Sequence, residues 1–545
     1  MGSRHGSTLK LANLFSNASK REPSPLLAVS LTKRITELGR HGQVDRAHHL
    51  FDQIPQRTQV SWNAMLSILI DSGRLASALE LFDEMPKKNS TSYTSMITGL
   101  SRAGFVSRAW QLFDTIPLSV QNVFSWTSMI TCYANNSEPL QALIFFARRY
   151  AEFFELKILP NSHTFSVLLK SCVSIQSLHA AMQVQTLSVK VLEEDSESST
   201  FVQNSLIDVH AKLGNLVDAE KVFDRMKFKD LGSWNTIMDA YTQHLLVNKA
   251  LGVFNSMTSK DILSWNIIMA GLSNNHRAEE ALKLFIRLLR SEDDSKPNAS
   301  TYTIILTATT TMTMLEFGKQ VHASTVKIGL YNSNIFVCNS LLSMYSNCGM
   351  VELTEQVFKD IHHRDIVSWN SVIQGLGQNG CSKRALEIAE QALSANKFNH
   401  NTFTAILTSC SHGGLVDEGS KYFNSMSEIY GIEQGLDQYV CMVDMLGRAG
   451  KVEIALEMLS KMPFRANSVA WETLLSACVI HGNVNVGRIA AKELEILKPG
   501  NARSYYALAS VYKRAGKAEE SKRVLDLIWN KELRKNSGFS WVVEA

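Results

Sequence analysis

Apolar positions in this chain recur at helical spacing in short runs, and the runs come in pairs. Trp62, Met65, Leu66 and Leu69 fall on one face of a helix. Gly73-Arg74-Leu75 breaks the run, and Ala78, Leu79, Leu81, Phe82 and Met85 mark a second stripe that Pro86 ends. The pattern predicts two antiparallel helices joined by a glycine turn. Neither helix buries its stripe alone, so neighbouring pairs must stack.

The paired pattern repeats. The text LGSWNTIMDAYTQHLLVNKALGVFNSMTSKD, starting at Leu231, aligns without a gap on ILSWNIIMAGLSNNHRAEEALKLF, starting at Ile262. Trp234-Asn235 precedes Trp265-Asn266 by 31 residues, and Ala250 and Phe254 precede Ala281 and Phe285 by the same 31. A period between about 20 and 50 residues predicts an all-α solenoid rather than separate domains. With the second-helix Phe as a ruler, about thirteen units open near residues 28, 59, 90, 123, 162, 200, 231, 262, 299, 335, 366, 400 and 436. Two further helical pairs, 468–501 and 502–545, open on different residues. Units at 200, 231 and 335 have 31 residues and end in Asp, whereas those at 162 and 299 are longer and carry their own text. The acidic runs 193–199 and 291–295 fall at unit junctions and read as solvated turns.

Charge changes the picture little. Lys and Arg number 55 against 51 Asp and Glu, so bulk electrostatics does not draw this chain to a polyanion. The eight Cys form no C-x-x-C pair and read as reduced, core-packed thiols. No apolar run reaches the ~18 residues of a membrane helix, which predicts a soluble chain. Residues 1–27 are basic, Ser-rich and free of acid before Glu22, the composition of an organellar transit peptide.

The words SWN and MP in 31-residue units, KQVHA in a long one, and GGLVDEG followed by YVCMVDMLGRAGKVEIALEML resemble the plant pentatricopeptide repeat family, P-L-S subclass. The close, from WETLLSACVIHGNVNVGRIAAKELEILKPG to SGFSWVVEA, is similar to that subclass's C-terminal E extension. The resemblance covers about residues 28–545, with repeats over 28–467 and the extension over 468–545. It implies a right-handed superhelical α-solenoid that binds single-stranded organellar RNA, one base per repeat.

In the family two positions select the base, the fifth residue of a unit and its last. Here they are Asn63/Asn89, Thr94/Asn122, Thr127/Asn161, Asn204/Asp230, Asn235/Asp261, Asn266/Asn298, Asn339/Asp365 and Asn370/Asn399. Ionised Asp only accepts hydrogen bonds and suits U or G, while Asn donates and suits C or A. Thr at position five leaves room for a purine. The units then read 5′-C-A-A-n-U-U-C-n-U-C. Thr32/Thr58, Thr404/Gly435 and Val440/Asn467 receive no letter. Taken singly, each Asn, Thr or Asp is also a good helix cap; eight pairs in phase point to an array. The second residue (Val60, Phe124, Phe201, Leu263, Phe336, Val367) is where the family wedges a side chain beside the base, and Gly232 departs from it. Basic residues at about the thirteenth position, which contact phosphate in the family, stand only at Arg40, Arg102, Lys212 and Arg448. The Trp residues at 62, 126, 234, 265 and 369 read as core.

Catalytic chemistry is not expected. A cytidine deaminase needs H-x-E and P-C-x-x-C for zinc, and neither occurs in these 545 residues. His48-His49 and His362-His363 lack ligand-spaced Cys and read as solvated. No cofactor is implied. The resemblance implies a site-recognition factor for organellar C-to-U editing. It would recruit, in trans, a DYW-type cytidine deaminase of the same family and multiple-organellar-editing-factor proteins. The mitochondrion is expected, with the plastid as the alternative. An RNA stability or splicing factor using the same groove, and a helical protein scaffold, remain alternatives.

Overall fold

The computed structural model describes residues 25–155, 158–192, 197–291 and 295–530. The transit-peptide reading of residues 1–27, most of the acidic runs at 193–199 and 291–295, and residues 531–545 therefore lie wholly or largely outside the described residues. The chain divides into two compact units, residues 1–260 and 261–545. Every described element is a helix, and the helices pair into hairpins. The first unit runs from Pro25–Arg40 with Val44–Asp52 to Leu231–Gln243 with Val247–Ser256. The second runs from Ile262–Asn274 with Ala278–Arg290 to Ala502–Arg514 with Ala518–Asn530, and adds one short helix, Leu330–Ser333.

Within each unit the two helices of a hairpin differ in burial. The first helix, such as Gln59–Asp71, buries Ser61, Trp62, Met65, Leu66, Ile68 and Leu69, because its own partner and the next hairpin cover it from two sides. The second helix, Leu75–Glu84, buries only Ala78, Leu81 and Phe82. Its small residue lets the two axes approach. Ala47, Ala109, Ala142, Ala181, Ala219 and Ala250 hold the same place in the first unit, all fully buried. Gly318, Thr354, Ala385, Gly419 and Ala455 do so in the second.

An aromatic joint locks one hairpin to the next. The second-helix Phe meets, edge to face, the ring at the fourth position of the following unit. Phe51–Trp62 centroids lie 5.0 Å apart at 76°, Phe113–Trp126 5.2 Å at 81°, Phe223–Trp234 5.0 Å at 75°, and Phe358–Trp369 4.9 Å at 72°. Each such pair adds roughly 0.5–1.5 kcal/mol beyond the area it buries. A basic residue often covers the joint: Arg57 lies 4.5 Å over Phe51, Lys229 5.0 Å over Phe223, and Arg364 4.4 Å over Phe358. Trp62, Trp126, Trp265 and Trp369 are buried, as expected of core residues, and Trp234 is half-buried.

The hairpin turns are Schellman closures. After Gln59–Asp71, the Arg74 amide donates to Leu69 O at 2.9 Å, with Gly73 at φ +75°. Five turns expected to need glycine instead place Ser137, Gln176, Leu245, His276 and Thr313 at positive φ. The Leu246 amide still donates to Tyr241 O at 2.9 Å, so packing of the hairpin imposes the left-handed residue even where the side chain disfavours it.

All eight cysteines are free thiols. Burial pushes Cys172 and Cys338 up to about 11, and Cys410 and Cys478 up to about 12. Such thiols stay protonated and inert. His49, His362 and His363 are exposed and His48 is half-exposed. No helix among the described residues is long and apolar enough to cross a membrane.

Candidate nucleic-acid interface

In all eight candidate pairs the last residue is the N-cap of the next unit's first helix. Asn89 Oδ1 accepts from the Ser92 amide at 2.9 Å, Asn161 Oδ1 from Thr164 at 2.9 Å, and Asp230 Oδ1 from Ser233 at 2.7 Å. In the second unit Asp261 Oδ1 accepts from Ser264 at 2.8 Å, Asn298 from Thr301 at 3.0 Å, Asp365 from Ser368 at 2.8 Å, and Asn399 from Thr402 at 3.1 Å. Asn122 caps in the same way, accepting from Phe124 and Ser125 at 3.0 Å each. Capping therefore does not by itself exclude the base selection expected from the sequence. The cap uses Oδ1 and not the other tip atom, which is an amide nitrogen for Asn and a second carboxylate oxygen for Asp.

The fifth residue of a unit reaches its own unit's last residue. Asn63 Nδ2 donates to Asn89 Oδ1 at 3.2 Å, and Asn204 Nδ2 to Asp230 Oδ1 at 3.2 Å. In the second unit Asn266 donates to Asn298 at 3.3 Å, Asn339 to Asp365 at 3.2 Å and Asn370 to Asn399 at 3.4 Å. Thr127 joins Asn161 indirectly, through Thr164 Oγ1 at 2.7 Å and from there to Asn161 Oδ1 at 2.9 Å. Thr94 does not join Asn122; its hydroxyl oxygen is buried without a hydrogen-bond partner. Asn235 lies in the first unit and Asp261 in the second, and each holds the position in its helix that its counterparts hold. Several fifth residues are deeper than a groove-lining role suggests: Thr127, Asn235, Asn266 and Asn339 are all buried.

A third group completes each site, and sequence reasoning missed it. The third residue of the following unit is a fully buried hydroxyl at Ser61, Ser92, Ser125, Thr164, Ser233, Ser264, Thr301, Ser368 and Thr402. Ser92 Oγ lies 2.7 Å from Asn63 Oδ1 and 2.8 Å from Asn89 Oδ1. Thr301 Oγ1 lies 2.8 Å from Asn266 Oδ1 and 3.1 Å from Asn298 Oδ1, and Ser368 Oγ 2.8 Å from both Asn339 Oδ1 and Asp365 Oδ1. One hydroxyl proton shared between two acceptors clamps the fifth and last residues at fixed geometry. At Asp230 the Ser233 hydroxyl goes to the carboxylate at 2.8 Å, and Asn204 Oδ1 is left buried without a partner. The signal was present in sequence as a Ser or Thr recurring two residues before the fifth position.

Two of the three last-residue carboxylates, Asp230 and Asp365, are shifted by this cage. Burial pushes Asp230 up, but the Ser233 hydroxyl and amide and the Asn204 amide together outweigh it and hold the carboxyl below its ordinary range. Asp365 is held low in the same way by Ser368 and Asn339 against its burial. Both are ionised at neutral pH and act only as acceptors.

The second residue of each unit stands out in the solvent. Val60 and Phe336 are 68% exposed, Phe124 63%, and Phe201, Leu263 and Val367 at least half. Large apolar side chains left in water at one repeat position call for a covering ligand. Of the four basic thirteenth residues, three already have carboxylate partners: Arg102 pairs with Asp71 at 2.7 Å, Lys212 with Asp208 at 2.8 Å and Arg448 with Asp444 at 2.9 Å. Arg40 is exposed.

Comparison with known families decides the kinship. The model of the PPR repeat matches residues 60–90, 91–117, 124–148, 204–231, 232–262, 336–366, 367–394, 401–429 and 439–465, and that of the PPR repeat family matches 260–310. This chain belongs to the PPR repeat family. A mitochondrial pentatricopeptide repeat-containing protein of Arabidopsis thaliana is 33% identical over 426 residues, 77% of this chain and 60% of the relative. A chloroplastic PPR protein of the same plant is 32% identical over 423 residues, 77% of this chain and 45% of the relative. The chain therefore spans only about half of these relatives' length. Among solved structures, PPR10 from maize superposes with a TM-score of 0.56 at 18% identity, over 97% of this chain and 77% of that one. PPR10 in complex with an 18-nt psaJ RNA element gives 0.50 at 16% identity, over 98% and 84%. These likenesses establish the PPR solenoid fold.

Proposed function

We propose that this PPR protein binds single-stranded RNA and selects one site in an organellar transcript for C-to-U editing, with the deaminase supplied in trans. The observation that carries RNA reading is the in-phase series of fifth and last residues. Five pairs are directly bonded, and each last residue presents the tip atom its cap does not use. A base laid against Asn presents an acceptor to the amide, and one laid against Asp presents a donor to the carboxylate. The exposed second residues would cover the faces of successive bases. That a solved PPR protein is held with an RNA element supports the same reading.

The editing role rests on the P-L-S order of units and on the E-type text after residue 467. There the hairpins Ser468–His481 with Val484–Leu497 and Ala502–Arg514 with Ala518–Asn530 follow the repeats. In this reading they recruit a DYW-type deaminase and multiple-organellar-editing-factor proteins, and the chain adds recognition without catalysis. Named relatives are mitochondrial or chloroplastic, and we place this protein in the mitochondrion.

The test has two parts. Purified protein is titrated with RNA carrying 5′-CAANUUCNUC and with scrambled RNA, and organellar transcripts are compared with and without the protein. Specific binding together with one cytidine left unedited is the expected result. Specific binding with editing intact would make it a stability or splicing factor, and failure to bind any RNA would make it a protein scaffold.

A further inference from the structure

At two junctions between repeats the fourth position of the following unit carries no ring. The fourth position of the unit opening at residue 200 is Gln203, and that of the unit opening at 335 is Cys338. At the second of these, the chain fills the gap itself. The short helix Leu330–Ser333 places the Tyr331 ring 4.7 Å from the His322 ring, and the Tyr331 hydroxyl donates to Asp360 Oδ2 at 2.8 Å. Cys338 Sγ donates to Tyr331 O at 2.9 Å, and His322 Nδ1 pairs with the Tyr345 hydroxyl at 2.8 Å.

The junction at residue 200 has the same frame with other residues. Phe201-Val202-Gln203-Asn204-Ser205-Leu206 aligns on Phe336-Val337-Cys338-Asn339-Ser340-Leu341 without a gap. The same register sets Gln203, His210 and Arg225 where the other junction has Cys338, Tyr345 and Asp360, and, counted from the openings of the long units at 162 and 299, Val184-Gln185 matches Val321-His322. The polar bond recurs, His210 Nε2 lying 3.0 Å from Gln185 Oε1. The ring does not recur, because 193–198 reads EEDSES and contains no aromatic residue. Instead, Gln185, Val189, Val202, Gln203, His210 and Arg225 help line a cavity of about 580 Å³. His210 is 1% exposed, and its Nδ1 is buried without a hydrogen-bond partner.

We propose that this cavity is a socket for an aromatic side chain of a partner protein, carried on an acidic segment. Tyr331 in the equivalent junction shows the size and chemistry that this frame accepts. Acidity follows from one substitution in the frame. Where Asp360 accepts the Tyr331 hydroxyl, the socket has the exposed guanidinium of Arg225, a donor that asks for an anion. Val189 and Met182 at the mouth are half-exposed apolar groups that a bound peptide would cover. The base-reading residues Asn204 and Asp230 do not line the cavity, which sets it apart from the RNA site and favours a protein ligand.

The test uses the full chain and a fluorescein-labelled peptide, Gly-Ser-Glu-Tyr-Glu-Asp-Gly, read by anisotropy. Replacing the peptide's Tyr by Ala is expected to weaken binding roughly ten-fold or more, since it removes a buried ring. Val189→Trp, at the exposed mouth, should block the socket, and Arg225→Glu should weaken the parent peptide but not a Glu-to-Gln version. Thermal melts of both variants verify that they are folded. Equal binding of the Tyr and Ala peptides would reduce the effect to charge and overturn the proposal. So would displacement of the peptide by single-stranded RNA with Asn204 and Asp230 intact but not with both replaced by Ala, or no binding at about 1 mM peptide.

Discussion

Asp230→Asn is expected to separate the proposed base reading from folding, because the two duties would use different atoms of one side chain. Oδ1 takes the Ser233 amide at 2.7 Å, the Ser233 hydroxyl at 2.8 Å and Asn204 Nδ2 at 3.2 Å. Asparagine keeps that oxygen in place, as Asn89, Asn161, Asn298 and Asn399 already do in this chain. The cap is retained, and the lost charge at a helix N-terminus costs about 0.3–1 kcal/mol. Asp230→Ala removes the cap as well and costs about 0.5–2 kcal/mol. The other tip atom changes from acceptor to donor. A base N–H that met an acceptor now meets a donor, a penalty of roughly 1–3 kcal/mol, or about 5- to 150-fold in affinity.

The assay is anisotropy at fixed salt with two RNAs that differ only at the first U of 5′-CAANUUCNUC. Wild type should prefer U, and Asp230→Asn should prefer C with a melting temperature nearly unchanged. Acid denaturation gives an independent reading. The folded carboxyl of Asp230 is held below its unfolded value, so its contribution to stability is complete above about pH 4 and is lost as pH falls through the folded value. Asp230→Asn should flatten that acid limb. A variant that flattens the acid limb yet leaves the U/C preference untouched would refute the division of labour between the two atoms.

Four further outcomes are expected. Ser368→Ala opens the clamp on Asn339 and Asp365 and should cost about 1–2 kcal/mol; the base preference of that unit should collapse and return with Ser368→Thr, and a preference unchanged in the Ala variant would remove the hydroxyl from the site. Leu245→Gly relieves a leucine held at φ +62° and 76% exposed, so urea melts should show a gain of about 0.5–1 kcal/mol, and a loss would contradict the strain. Phe113→Ala empties a fully buried joint beside Trp126 and Phe145 and should cost about 3–5 kcal/mol. Hydrogen exchange should rise in the hairpins around it and stay unchanged in Ala502–Arg514, whereas a uniform rise would contradict nearest-neighbour stacking. With three of the four candidate phosphate contacts already paired to carboxylates, the log–log salt slope of RNA binding should be shallower than about −6, and a steeper slope would show phosphate contacts from elsewhere.

Helical periodicity made the hairpins legible, because each stripe of apolar residues needs a partner and the spacing names the face. Helices begin at Gln59, Ser90, Val123, Ser162, Leu231 and Ile262, where the pattern set them. The pairing of Asn63 with Asn89 or Asn339 with Asp365 came from resemblance, since nothing in spacing alone says that residues 26 apart touch. The hydroxyl clamp escaped because a buried Ser or Thr looks like any small polar residue until its two acceptors are located. Leu245 and its counterparts escaped because the glycine rule describes preference, and the remainder of the hairpin overrides it. The socket escaped because its meaning depends on Tyr331, which the short helix Leu330–Ser333 brings to the equivalent junction.

The same accounting explains which units carry no letter. Thr58 caps its helix with Oγ1, which accepts from the Ser61 amide at 3.2 Å, and its other branch is a methyl group, so it has no second polar tip atom for a base. Gly435 has no side chain at all, and Gln438 takes over the capping contact, its Oε1 accepting from the Gly435 amide at 2.9 Å. Gln438 Nε2 turns instead to Thr404 Oγ1 at 2.7 Å, occupying the fifth residue that would otherwise read. Asn467 caps correctly, accepting from Ala470 at 3.0 Å, but its unit offers Val440 at position five, which has no polar tip. On the proposed reading, a unit selects a base only when its last residue has two polar tip atoms, one for the helix and one for the base. Gly435→Asn with Gln438→Ser should therefore create a reading pair with Thr404, and the added unit should favour A at its place in the RNA. Binding that stays indifferent to that base, in a variant whose helix Leu436–Arg448 remains folded, would break the link between capping and reading.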